Sequence, residues 1–512
     1  MASRSSIDSA DAESATTRTA VDSDFIHTED IGLKKGLNSR QINMIGIGGA
    51  IGTGLFMGAG GRLAAAGPSL AIIYAVCGFF VYLILKALGE LVLHRPSSGS
   101  FVSYAREFLG EKAAFAVGWI YWLCWSMSAI ADVTATALYL NFFKKYIPAI
   151  ADTPQWVLAL AALFLILAVN LLSVKVFGEL EFWFSLIKVV ALVGFLVTGI
   201  CFVIFGTPVA GHTAGFSVIS DNGGMFPNGA MAAFVLVSGV IFAYSGVELI
   251  GSTAGETRNP DQVMPKAINA VIFRIAIFYV GSVILLSCLL PYSSYKAGES
   301  PFVTFFGSIG IPGADSIMNM IVITAALSSL NAGFYSTGRI IRSLSIAGSA
   351  PKFGAKLTKS GVPFGGMTLT AALALLGVAL NAIAPSDAFE IVLSVSALCG
   401  IVAWSTIILC QLKLWYLARQ GKLSRPSFRL FGAPWTGIAT LLFLLGVVVL
   451  IALDYPTGTY TVGTSLLLIP TLIVGWFFAR KNIRAVKAAA EIQDRLEQHG
   501  QRSGSGAEAL TK

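Results

Sequence analysis

Apolar blocks separated by short polar stretches run along most of the chain, at 42–66, 69–93, 113–141, 155–174, 182–205, 229–253, 267–290, 315–338, 363–384, 388–412, 434–453 and 460–479. Each is long enough for a helix to cross a hydrocarbon core, which takes ~18–25 residues. The pattern predicts an all-α polytopic membrane protein with about twelve transmembrane helices. Residues 1–40 are polar and lack the basic-then-apolar order of a cleaved signal, so they read as a disordered cytoplasmic tail. Residues 41–480 form the membrane domain. Residues 481–512 form a charged cytoplasmic tail, within which 485–498 could make a short amphipathic helix on the membrane face or stay solvated.

Composition agrees with that reading. Of 512 residues 55% are hydrophobic and 12% charged, about half the charge of a soluble chain. The net charge of +8 could suggest nucleic acid, but its distribution argues against that. The presumed outer loops hold only Arg62, Lys144, Lys145 and Lys296, and the other loops and both tails hold the rest of the basic residues outside the spans. This bias places both termini in the cytoplasm. The six cysteines all lie in apolar segments without a C-x-x-C pair, so they read as small buried hydrophobes, with no disulfide framework and no metal site.

The first span contains "GIGGAIGTGLF", Gly46 to Phe56, with five glycines. Glycine costs a helix about 1 kcal/mol relative to alanine, so the run needs a reason. One reason is close helix packing. The other is a broken helix, tolerated at membrane depth only where backbone lines a cavity or is buried in protein. Such a break exposes helix N-termini to anionic groups and free carbonyls to cations. Gly48, Gly49, Gly52 and Gly54 lie closer together than packing requires. A dinucleotide loop fails, because no strand precedes the run and its third glycine position holds Ile51. An inverted repeat of five helices would place a matching break in span six, and "GVIFAYSGVELIGSTAGE" there carries Ser245, Gly246 and an acid, Glu248.

Other polar residues interrupt the spans. Lys188 lies about two turns, ~10 Å, inside Glu181, where it either snorkels to the interface or faces the broken helices as a buried amine. In the second case it could take the place of a bound cation and couple transport to protons. Asp132 in "SAIADVTATALYL" is a functional candidate by default, as substrate contact, proton carrier or interhelical partner. Pairing or snorkelling accounts for Glu90 and Arg274. Ser328, Ser329, Asn331 and Ser336 of span eight either bond between helices or line a polar site. Trp119, Tyr121, Trp122 and Trp125 read as packing and interface anchors.

Together "GGAIGTGLF", "AGPS" at Ala66, "GELVL" at Gly89, "FGELEFWFSLIK" ending at Lys188 and "FAYSGVEL" at Phe242 resemble the amino acid permeases of the amino acid–polyamine–organocation superfamily. Within it, "LHRPSSGSFVSYAREFLGEKAAFAVGW", "TAALSSLNAG", "FEIVLS" and "LDYPTGTYT" look most like the bacterial L-asparagine permeases. "YWLCW", "IADVTA" and "GVELIGSTAGETRNP" look more like permeases for D-serine, D-alanine and glycine. The resemblance implies a 5+5 inverted repeat (LeuT-like), with helices 1 and 6 broken and two further helices. It implies a substrate carboxylate on the N–H groups around Gly52, Thr53 and Gly54, and a substrate ammonium on carbonyls near Ala50, Phe242, Ala243 and Ser245. Asp132 is a further substrate candidate. Lys188 matches the family lysine of proton coupling, and Glu248 is a second proton candidate. The expected function is proton-driven import of a small neutral amino acid, best taken as L-asparagine, through the bacterial inner membrane, without a cofactor. The absence of a G-x-x-x-x-G-K-[ST] loop argues against ATP hydrolysis by this chain. An enzyme is disfavoured by four scattered histidines, His27, His94, His212 and His499. A receptor that binds without transporting would keep the same site.

Overall fold

A computed structural model describes residues 40, 41, 44, 51–97, 99–252, 259–383 and 385–509. Among them, nine helices are long and apolar enough to cross a membrane, and Ala230–Ala243 and Phe364–Ala379 are shorter apolar helices. The only strands among the described residues pair Pro208–Val209 with His212–Thr213 in one small hairpin. Large apolar side chains such as Phe79, Leu165, Phe205, Phe273 and Phe478 point outward, as a lipid-facing surface requires.

The first apolar run is not one rod. Gly52 is extended, with φ −125° and ψ −160°, and a short helix α1 (Thr53–Phe56) starts after it. Helix α2 (Gly58–Ala66) follows beyond Met57. Gly67 at φ +64° and Pro68 then turn the chain into α3 (Leu70–His94). The left-handed φ explains glycine at 67, and Pro68 stands in a first turn, where its missing N–H costs nothing.

Two long helices, α4 (Glu111–Phe142) and α5 (Val174–Phe205), form spans three and five. Span six is interrupted: α6 (Val237–Ala243) ends, turns run through Tyr244 to Glu248 with Gly246 at φ +97°, and α7 (Leu249–Ser252) resumes. Span seven is also irregular, with helix Pro260–Arg274, a π-helical stretch Ile275–Gly281 and helix Ser282–Leu289. Span eight is α8 (Ala314–Ile346), span ten lies in α9 (Pro385–Arg419), and α10 (Leu468–Ala509) is the last. Helix α10 runs on unbroken through the stretch read as tail.

Two polar residues sit differently from expectation. Arg62 is inside α2 and 6% exposed, not in an outer loop. Glu181, at the edge of the apolar block 182–205, is 0% exposed, and so is Lys188. Snorkelling therefore does not describe Lys188. Glu90 pairs, as expected, and its buried carboxylate gathers four donors. Arg425 Nε and Nη2 lie at 2.6 and 3.0 Å, Gln411 Nε2 at 3.0 Å and the Leu430 N–H at 2.9 Å.

Candidate functional site

The two interrupted helices meet in the protein interior. A Cβ on Gly54 would lie 2.5 Å from the Ala243 Cα, so only glycine permits this crossing. Gly52 is different: its Cβ would find Ser329 at 3.6 Å, an ordinary contact. The packing reason for glycine thus holds at Gly54, whereas Gly52 is extended where the helix begins. Gly46, Gly48, Gly49 and Ala50 lie outside the described residues.

A small cavity of about 20 Å³, room for roughly one water, opens at the crossing. Gly52, Thr53 and Gly54 line it from one break, and Phe242, Ala243 and Ser245 from the other. Trp125, Ser128 and Ser329 complete the wall. The first N–H groups of a helix have no partner within it, and here they belong to Thr53 and Gly54. They carry the positive end of the helix dipole toward the cavity. On the other side, the Phe242 carbonyl takes the Ser245 N–H at 2.9 Å and the Ala243 carbonyl takes the Tyr279 hydroxyl at 3.2 Å. The Ala243 carbonyl keeps a second lone pair. Tyr279 belongs to the π-helical stretch of span seven, which supports the broken end of α6.

Asp132 stands apart from this wall. Its Oδ1 accepts the Thr53 hydroxyl at 2.8 Å, and its Oδ2 has no hydrogen-bond partner among the described residues. Ser329, which lines the cavity, lies beside this carboxylate, and Lys188 is within its electrostatic reach. Asp132 is not among the residues that line the cavity, and it reaches the wall through its hydrogen bond with Thr53.

Lys188 heads a buried polar chain. Its Nζ donates to Ser328 Oγ at 2.9 Å, and Ser328 Oγ donates to Glu181 Oε1 at 2.7 Å. Asn331 donates to Glu181 Oε2 at 3.1 Å, and Asn170 donates to Asn331 at 2.7 Å. Spans four, five and eight share this network. Ser328 and Ser329 are adjacent on α8 yet serve different ends, because successive helical side chains point about 100° apart.

Glu248 closes the second break. Tyr121 Oη donates to its Oε1 at 2.9 Å, while Trp404 Nε1 and the Gly246 N–H reach its Oε2, each at 3.2 Å. Tyr121 is thus a carboxylate partner and not only a packing anchor. Trp119 and Trp122 tie α4 elsewhere, to the Ser349 carbonyl at 3.1 Å and the Thr370 hydroxyl at 3.0 Å. Arg62 donates to the Gly54 carbonyl at 3.4 Å, its guanidinium held against Gly58 and Gly239, where a side chain would collide with it.

Sequence reasoning missed Trp125 and Ser128 in the wall and Glu181 in the network. A signal existed for each. Tyr121, Trp125, Ser128 and Asp132 are spaced i, i+4, i+7, i+11, one stripe of α4. Glu181 and Lys188 are seven apart, on one face of α5.

Comparison with known proteins bears on what this arrangement serves. The family model for amino acid permeases matches residues 41–492. The chain is 59% identical over 458 residues to L-asparagine permease 1 of Mycobacterium tuberculosis H37Rv, covering 90% of this chain and 93% of that protein. It is 52% identical over 474 residues to L-asparagine permease of Escherichia coli K12, covering 93% and 94%. It is 53% identical over 454 residues to L-asparagine permease of Streptomyces coelicolor, covering 89% and 92%.

Proposed function

The chain belongs to the amino acid permease family, and from that premise we propose that it imports L-asparagine by proton-coupled secondary transport. One observation carries the reading most: a single cavity is lined by Gly52, Thr53 and Gly54 from one break and by Phe242, Ala243 and Ser245 from the other. An amino acid has one anionic and one cationic end. Helix N–H groups suit the carboxylate, and carbonyls at a helix C-terminus suit the ammonium. The relatives' names supply the substrate.

Lys188 carries the coupling in this reading. It is buried, and Ser328 holds it beside Glu181, so gain or loss of its proton changes a network shared by three spans. Glu248, with three donors, braces the break and stands second as a proton candidate. The chain crosses the bacterial inner membrane twelve times, with a 5+5 inverted repeat and both ends in the cytoplasm. The breaks in spans one and six and the lysine–arginine bias support this.

The competing substrate reading is glycine, D-alanine or D-serine. The test is uptake of labelled L-asparagine into proteoliposomes, competed by each of these and by other neutral amino acids. Strongest block by unlabelled L-asparagine is expected. Strongest block by glycine, D-alanine or D-serine would reject the substrate while keeping the family. A receptor would bind L-asparagine without accumulating it.

A further inference from the structure

The last helix lies at the edge of the bundle, touching α4 at Phe115 and Glu111. None of the apolar stretch of its span is buried inside the protein. Between α10 and the N-terminal half of α4 runs a crevice. Its deep part is apolar, walled by Ile120, Leu123, Leu468 and Leu472. Phe115 and Leu472 line both this part and the next, so the two are continuous. Trp476 bridges the helices edge-on to Phe115, with ring centroids 5.6 Å apart.

The character of the crevice changes at its end. There Lys112, Arg480 and Arg484 line it, all three exposed. The acid at this level, Glu111, is already engaged, by Arg106 at 3.3 Å and Lys487 at 3.2 Å. No carboxylate pairs with Lys112, Arg480 or Arg484 among the described residues. Among the described residues the crevice therefore ends in three positive charges without an acid partner.

Its dimensions match one leaflet. From Leu468 to Arg484 the helix climbs sixteen residues, about 24 Å at 1.5 Å per residue. Half a bilayer with its headgroup layer is roughly 20–22 Å. The cations therefore fall at headgroup level and the apolar walls at acyl-chain depth.

We propose that this crevice is a binding site for one anionic phospholipid, its phosphate held by Lys112, Arg480 and Arg484 and one acyl chain lying between α4 and α10. The charge selects an anionic head over a zwitterionic one, and the apolar floor selects a lipid over free phosphate. The leaflet is the one on the side of the C-terminal tail, cytoplasmic by the charge bias. The bound lipid fills the gap between α10 and the bundle.

The test is native mass spectrometry of the full chain in detergent, with phosphatidylglycerol and phosphatidylcholine added in equal amounts. The wild type is expected to retain one phosphatidylglycerol per chain, about tenfold or more over phosphatidylcholine. The triple variant Lys112→Gln, Arg480→Gln, Arg484→Gln is expected to lose that preference. Gly475→Leu, which projects into the apolar part, is expected to weaken retention of both lipids. Equal retention of the two lipids by the wild type would overturn the proposal. So would a preference that survives in the triple variant, displacement of the lipid by free glycerol phosphate, or a dimer that covers the crevice with a second copy of the chain.

Discussion

Thr53 joins the cavity to the polar interior through one bond, its hydroxyl on Asp132. Thr53→Val removes the donor seen on that buried carboxylate, an unmet need worth about 1–3 kcal/mol. The backbone N–H groups at the cavity stay. Thr53→Val is therefore expected to lower the unfolding temperature and weaken L-asparagine binding only mildly. Asp132→Asn in the same chain is expected to recover part of the loss. The cycle of both substitutions, read by thermal unfolding, should show coupling of about 0.5–3 kcal/mol, and strict additivity would sever the link. Lys188→Ala leaves Glu181 buried without its cation, a penalty of about 3–5 kcal/mol, and Lys188→Met with Glu181→Gln is expected to be more stable than Lys188→Ala alone. Residue types in the spans pointed to Lys188, Asp132 and Glu248. They did not disclose Glu181, because an acid near a predicted helix end looks like an interface residue until its neighbours on spans four and eight are in place.

At the scale of elements, the crossing of α1 with α6 governs the cavity. Gly54→Ala puts a methyl group 2.5 Å from the Ala243 Cα and is expected to abolish uptake by spreading the two breaks. Gly52→Ala meets only Ser329, at 3.6 Å, and is expected to keep most uptake, while Gly52→Leu fills the cavity and abolishes it. Equal uptake by Gly54→Ala and wild type in the transport assay would contradict this geometry. A second joint ties α3 to the segment after α9 through Glu90 and Arg425. Glu90→Gln is expected to destabilise the protein by about 3–5 kcal/mol, measurable as a lower unfolding temperature. The glycine run announced an interruption, and Glu248 announced a second. The π-helical stretch in span seven left no mark in the sequence pattern, because one wider turn barely shifts the apolar periodicity. The wall residue Trp125 sits in an aromatic cluster whose other members turn to different neighbours.

The whole molecule is a membrane bundle whose outer surface is apolar and whose charges gather in buried networks and at the helix ends. The apolar blocks made that architecture legible, since in lipid every span must satisfy its own backbone. The pairing of distant spans was not legible, because Glu90 with Arg425 and Tyr121 with Glu248 are far apart in sequence and meet only through packing. In the proposed function the site couples to a proton gradient, and Lys188 is the group assigned to do this. The measurement that tests the account most directly is accumulation of labelled L-asparagine in proteoliposomes under an imposed inward proton gradient, for wild type and Lys188→Ala side by side. The account predicts uphill accumulation that collapses with the gradient in the wild type, and uptake indifferent to the gradient in Lys188→Ala. Wild-type accumulation that ignores the gradient, or a Lys188→Ala protein that follows it as the wild type does, would contradict the account.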